Sequence, residues 1–179
     1  MAVVANLNRG ESLGDRILKV NHAGEHGAVN IYRGQAAMSQ LRAPSLLPEL
    51  HEFQSHEERH RALFWAELQR RGKSRCRSYH LCGVGGYMLG FVTGILGAAA
   101  VAATTVAVER VVLQHLTHQM EALRETDASA FAAVSAIVRE EREHHDRAAG
   151  VAVSAFWLKI LMPVVSTSTE FVIWLGMRL

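Results

Sequence analysis

One pattern of acids and imidazoles occurs twice in this chain at a constant offset. Glu25, Glu57 and His60 return 84 residues later as Glu109, Glu141 and His144, with every internal spacing kept. In each half the second Glu follows the first by 32 residues, and a His follows that Glu by three. No other acid-x-x-His pair occurs, although the chain holds ten His. All six residues lie on apolar helical stripes. Leu18, Asn21, Glu25, Ala28 and Tyr32 step by three and four and share one helical face. The same holds for Phe53, Glu57, His60 and Phe64, for Ala102, Thr105, Glu109, Val112 and Leu116, and for Val134, Ile137, Glu141, His144 and Ala148.

Four Glu on core-facing stripes are a strong constraint, because a bare buried carboxylate is expensive. Basic side chains could compensate them, but the stripes supply only the two His. Two divalent cations would cancel all four charges. One Glu plus a Glu-x-x-His pair, twice over, is the ligand set with which ferritin-like four-helix bundles hold two metal ions. The expected fold is therefore all-α: a ferritin-like four-helix bundle built from a duplicated helical hairpin, plus interfacial and C-terminal helical segments. The expected metal ligands are Glu25, Glu57, His60, Glu109, Glu141 and His144.

The remaining features fit one domain over residues 1–179. A hydrophobic content of 49% supports a full core, and three Pro leave room for long helices. The pattern predicts helices over about residues 12–41 and 45–72, with Pro48 in the first turn of the second. A third is expected over about 87–123, and a fourth, capped by Thr126 or Asp127, runs past His144. A last segment over 155–179 is expected to be interrupted or kinked near Pro163. The repeat halves are then about 12–72 and 87–150. A formal charge of +2 gives no reason to expect nucleic acid as a partner. Cys76 and Cys82 match neither a zinc pattern nor a disulfide framework and read as free thiols. The first eleven residues lack the apolar run of a secretory signal.

Residues 81–108 carry no charge, a length that could cross a bilayer, but six Gly within them favour breaks and close packing. Because Glu109 follows directly, the stretch reads as a short re-entrant or interfacial element leading into a buried helix. Arg70, Arg71, Lys73, Arg75 and Arg77 precede it and could meet anionic headgroups. Residues 151–179 have only Lys159, Glu170 and Arg178 as charges, with Phe156, Trp157, Phe171 and Trp174 among them. Together these features favour peripheral binding at a membrane surface, on the cytoplasmic side.

Asn21-His22-Ala23-Gly24-Glu25-His26-Gly27-Ala28, with Ile31-Tyr32 and Gly34-Gln35, resembles the opening motif of the demethoxyubiquinone hydroxylases. Thr105-Val106-Ala107-Val108-Glu109 and Glu141-Arg142-Glu143-His144-His145-Asp146 are similar to that family's later motifs. The resemblance covers about residues 12–179. It implies a di-iron monooxygenase that uses dioxygen and NADH-derived electrons to hydroxylate a polyprenyl quinol ring in ubiquinone biosynthesis. It further implies two iron ions per chain on the six ligands named above, peripheral attachment to the bacterial cell membrane or mitochondrial inner membrane, and partners among ubiquinone-biosynthesis proteins or a homo-oligomer. The chain departs from the family pattern at Leu116, at residues 97–100 and at Met177, none of them a ligand. Leu116 and residues 97–100 are expected near the substrate pocket.

Carboxylate and imidazole donors suit iron or manganese, and six protein ligands on two metals leave positions for oxygen chemistry. Asn21, Gln54, His115 and Asp146 are candidates to anchor the outer nitrogens of the ligating His. Tyr32 and His115 are further candidates for supporting roles, while His22, His26, His118 and His145 read as surface or supporting residues. Gly24 and Gly27 would clear space for a flat ring or allow close helix packing. An apolar mouth lined from residues 81–108 would admit an isoprenoid tail. The competing readings of the same site are a ferritin-like iron-binding protein and a peroxidase.

Overall fold

The computed structural model describes residues 3–150 and 155–179. Its elements are α1 (Leu13–Arg42), a short 3-10 turn (Pro44–Leu46), α2 (Leu47–Arg70), α3 (Tyr79–Leu96), α4 (Ala98–Leu123), α5 (Ala128–Gly150) and α6 (Ala155–Gly176). The bundle is all-α, with α1 packed on α2 and α4 on α5 as two hairpins. The boundaries have local causes. Ser12 and Asp15 form a reciprocal capping box at the start of α1. Asp127 caps α5 by accepting from the Ala130 N–H at 3.0 Å, and Pro48 sits in the first turn of α2.

The helix expected over residues 87–123 is two helices. Gly97 has φ 95°, which only glycine adopts at low cost, and it ends α3 and begins α4. The first of these helices also starts earlier than expected, at Tyr79. It lies along α1 as α6 lies along α4, so each half of the duplicated pattern carries a third helix. The contact between α3 and α1 is close enough to require glycine. A Cβ on Gly86 would strike the Gly27 carbonyl, and one on Gly90 would strike the carbonyl of Ile31. Gly86, Gly90 and Gly94 of this uncharged stretch therefore answer a packing requirement, whereas Gly85 has open space beside it. Continuous helix runs through Pro163, where an interruption was one expectation.

Two of the four apolar clusters of the core occupy the ends of the bundle. Ile17, Leu18, Phe64, Leu68, Leu123 and Ile137 fill one end, and Tyr32, Ala36, Leu50, Phe53 and Val101 the other. Along α1, α2 and α4, the Glu and His of the repeated motif fall between the two. They are consequently enclosed in low dielectric from both ends.

Candidate metal centre

The six residues singled out by the repeat converge. Glu25, Glu57, His60 and Glu141 offer donor atoms within 4.8 Å of one another, as do Glu57, Glu109, Glu141 and His144. Glu57 and Glu141 belong to both groups, and all six side chains are buried. The antiparallel hairpins explain the exchange: each Glu-x-x-His pair faces the opposite hairpin as well as its own.

Inside the cluster, five donor atoms lack hydrogen-bond partners. His60 Nδ1 lies 2.9 Å from Glu141 Oε1, and His144 Nδ1 lies 3.1 Å from Glu57 Oε1. Yet both Nδ1 atoms, both Glu57 oxygens and Glu141 Oε1 are buried without a hydrogen bond of acceptable geometry. Such atoms are rare in a core unless something else satisfies them. No Lys or Arg lies within ion-pair reach of these four carboxylates among the described residues. The donor set of oxygen and nitrogen atoms fits two hard or borderline cations.

The electrostatics carry the same message. Burial, reinforced by the charges of Glu141 and Glu57, drives the Glu25 and Glu109 carboxyls well above the usual carboxylate range. Burial also disfavours the Glu57 carboxylate, but His144 and His60 outweigh it and hold Glu57 below the ordinary range. His60 is raised to about 10, because contacts with Glu141 and Glu57 overcome the burial that opposes its charge. A cluster of protein groups alone thus retains protons to limit its negative charge, and cations would release them.

The outer nitrogen of each His has a partner that sequence spacing did not indicate. His60 Nε2 lies 2.9 Å from Glu140 Oε2, and His144 Nε2 lies 3.0 Å from His56 Nδ1. Both partners directly precede a ligand candidate in sequence, Glu140 before Glu141 and His56 before Glu57. The four expected anchors are engaged elsewhere: Asn21 with Gln119, Gln54 with Glu58, His115 with Glu170 and Asp146 with His145. Tyr32 is buried and donates to Glu109 Oε1 at 3.3 Å. Of the two positions open to it, surface or supporting, His22 takes the buried one, with its ring stacked on Trp65 and Tyr79.

A cavity of about 430 Å³ reaches the carboxylates from between α1, α3, α4 and α6. Glu25, Glu57, Glu109 and Glu141 lie at its inner end, and Leu81, Leu89, Val112, Val172 and Ile173 contribute to apolar walls. Gly24 and Gly27 both line it, so the open space and the close packing expected of them coexist: Gly24 faces empty space and Gly27 backs onto Cys82. Leu116 lines the cavity as expected. Residues 97–100 do not; Ala98 faces a separate small pocket on the Phe53 side.

The basic run is largely occupied within the protein. Arg70 pairs with Glu67, Arg71 with Asp15, Glu67 and Asp127, and Lys73 with Asp15. Arg75 lies over the rings of Trp65 and Tyr79. Arg77, the last of the run, is exposed. Both cysteines are free.

The profile of the family described as Ubiquinone biosynthesis protein COQ7 matches residues 12–176. The chain belongs to that family. A Rhodospirillum rubrum relative named 3-demethoxyubiquinol 3-hydroxylase is 33% identical over 165 residues, 92% of this chain and 77% of the relative. The rat protein named NADPH-dependent 3-demethoxyubiquinone 3-hydroxylase, mitochondrial, is 36% identical over 146 residues, 79% of this chain and 65% of its own length. The human protein of the same name is 36% identical over 137 residues, 74% and 62% of the two chains. The chain thus spans a little under two thirds of its mammalian relatives.

Proposed function

We propose that this member of the COQ7 family is a di-iron monooxygenase that hydroxylates the ring of a demethoxyubiquinol-type polyprenyl quinol in ubiquinone biosynthesis. The observation that carries this reading is the meeting of a buried six-donor cluster with the inner end of an apolar cavity. One group of four residues would hold each iron, with Glu57 and Glu141 shared between them. Two irons bound there would supply the activation of dioxygen. Everything else falls to the chain's own groups. The apolar walls exclude water and accept a flat ring with its isoprenoid tail. Tyr32 holds Glu109 by a hydrogen bond, and burial beside that carboxylate keeps its phenol protonated, so it remains a donor. Glu140 and His56 fix the ring orientation of the two ligating His.

The balance of the reaction is one ring C–H converted to C–OH and one oxygen atom released as water. It consumes two electrons and two protons. NADH-derived electrons serve as the source in this reading, and the rat and human relatives are named NADPH-dependent.

The chain would work at a membrane surface on the cytoplasmic side. Tyr79–Leu96 and Phe156–Gly176 are long and apolar enough to cross a bilayer by length and composition. Because α3 packs on α1 and α6 on α4, the reading is of helices lying on the surface. Val84, Met88 and Val92 on α3, with Ile160, Val164 and Trp174 on α6, are exposed. Both helices flank the cavity, so a quinol would enter directly from lipid.

The test is incubation of the iron-loaded, reduced protein with labelled dioxygen and a demethoxyubiquinol analogue. One labelled oxygen in the product ring is expected. No label despite confirmed iron and reduction would overturn the hydroxylase reading.

A further inference from the structure

Asn21 and Gln119 exchange two hydrogen bonds across the bundle. Asn21 Nδ2 donates to Gln119 Oε1 at 2.8 Å, and Gln119 Nε2 donates to Asn21 Oδ1 at 3.1 Å. Both residues line the apolar cavity, and Gln119 is buried. A primary amide carries two N–H donors and two acceptor lone pairs. The reciprocal pair uses one of each from either residue, so each amide keeps one donor and one acceptor for a third molecule. Holding each other, the two amides are also fixed in orientation, which lowers the entropic cost of using them.

Their position relative to the Glu/His cluster is specific. Asn21 precedes Glu25 by four residues on the same face of α1, a rise of about 6 Å. Gln119 follows Leu116, another wall residue, by three on α4. The pair therefore stands about one helical turn beyond Glu25 along α1, a separation comparable to a substituted six-membered ring. The other side chains on the wall able to hydrogen-bond, apart from the four Glu, are Cys82, His115, Ser168 and Thr169. His115 contacts Glu170, and Ser168 donates to the Val165 carbonyl.

We infer that the Asn21–Gln119 amide pair orients the quinol ring, gripping oxygen substituents on one edge so that the opposite edge faces the metal ligands. This rests on the proposed function and deepens it. Ring hydroxyls can donate to the free amide oxygens, while methoxy or quinone oxygens can accept from the free N–H groups. Both redox forms of the ring are thus accommodated, whereas the apolar walls distinguish none of its edges. The pair is a positioning element and takes no part in bond making.

The experiment compares wild type with Asn21→Leu and Gln119→Met, which remove the amides while keeping bulk. Loss of one ring contact should raise KM for a short-chain demethoxyubiquinol about tenfold. A mispositioned ring should also lower hydroxylated product per dioxygen consumed, with hydrogen peroxide accounting for the remaining oxygen and electrons. Iron content and melting temperature report folding separately. The exchange Asn21→Gln with Gln119→Asn keeps an amide pair and should restore coupling; it also carries the test if a single variant does not fold. Unchanged KM and coupling in folded, iron-loaded single variants would overturn the inference and leave the hydroxylase reading standing. If wild type does not hydroxylate the quinol, equilibrium binding of the quinone decides. Weaker binding in Asn21→Leu would support the ring site while the hydroxylase reading falls; equal binding would overturn both.

Discussion

Nε2 of His144 lies 3.0 Å from Nδ1 of His56. With His144 Nδ1 turned toward Glu57, a cation held there would take the Nδ1 lone pair and leave the proton on Nε2. His144 must then donate, and His56 must accept as a neutral ring. Burial holds His56 below the ordinary imidazole range, which favours that neutral form. Glu140 plays the corresponding part for His60. We expect His56→Leu and Glu140→Leu each to weaken iron binding by about 10- to 100-fold with helix content unchanged. Chelator competition measures this, and an unchanged curve would assign these two residues no hold on the metal.

Glu57 and Glu141 stand in both donor groups, whereas Glu25 and Glu109 stand in one each. Iron per chain should therefore fall from about two to near zero in Glu57→Ala, and to about one in Glu109→Ala. Activity should vanish in both. Elemental analysis with circular dichroism separates metal loss from unfolding. Full loading after removal of Glu25 and Glu109 together would refute the ligand assignment.

Arg71 ties three helices at one end of the bundle, reaching Asp127 at 2.7 Å and Asp15 at 3.2 Å. It holds the Asp127 carboxyl down to about 2, from an ordinary 3.8. The folded value is the lower one, so this contribution to stability is complete above about 3.8 and disappears as pH falls toward 2. Arg71→Met should cost on the order of 2 kcal/mol at neutral pH and much less near pH 2. Urea midpoints of both proteins across that range measure the difference. A cost independent of pH would show that packing, and not charge, is responsible.

With Arg70, Arg71 and Lys73 occupied by acids of the same chain, membrane attachment should depend on apolar contact. Vesicle flotation is expected to survive high salt and to fail in detergent. Val84→Asp combined with Trp174→Asp, one exposed position on each apolar helix, should abolish it. Release by salt alone would return the basic run to the headgroup role.

The Glu and His motif was legible because helical periodicity is a local property. Glu57 and His60 lie one turn apart, so any helix there presents both on one face. The start of α1 was legible for the same reason, since the Ser12 and Asp15 capping box is written within four residues. The break at Gly97 was not. Glycine inside an apolar run is compatible with continuous helix, and only the packing of α3 back along α1 requires the positive φ found there. Glu140 and His56 were equally hidden, because hydrogen bonds between α5 and α2 depend on how those helices face each other.

By itself, the chain's order of residues determined that four acids and two imidazoles would face a common interior, and that a bundle could bury them only with compensation. Periodicity and charge balance suffice for that, since both follow from residue type and spacing. Tertiary structure alone decided which Glu stand in both groups, which side chains hold the outer His nitrogens, where the cavity opens and which arginines are left for solvent. Those outcomes depend on contacts between helices far apart in the chain, where rotation of one helix by a fraction of a turn changes every partner.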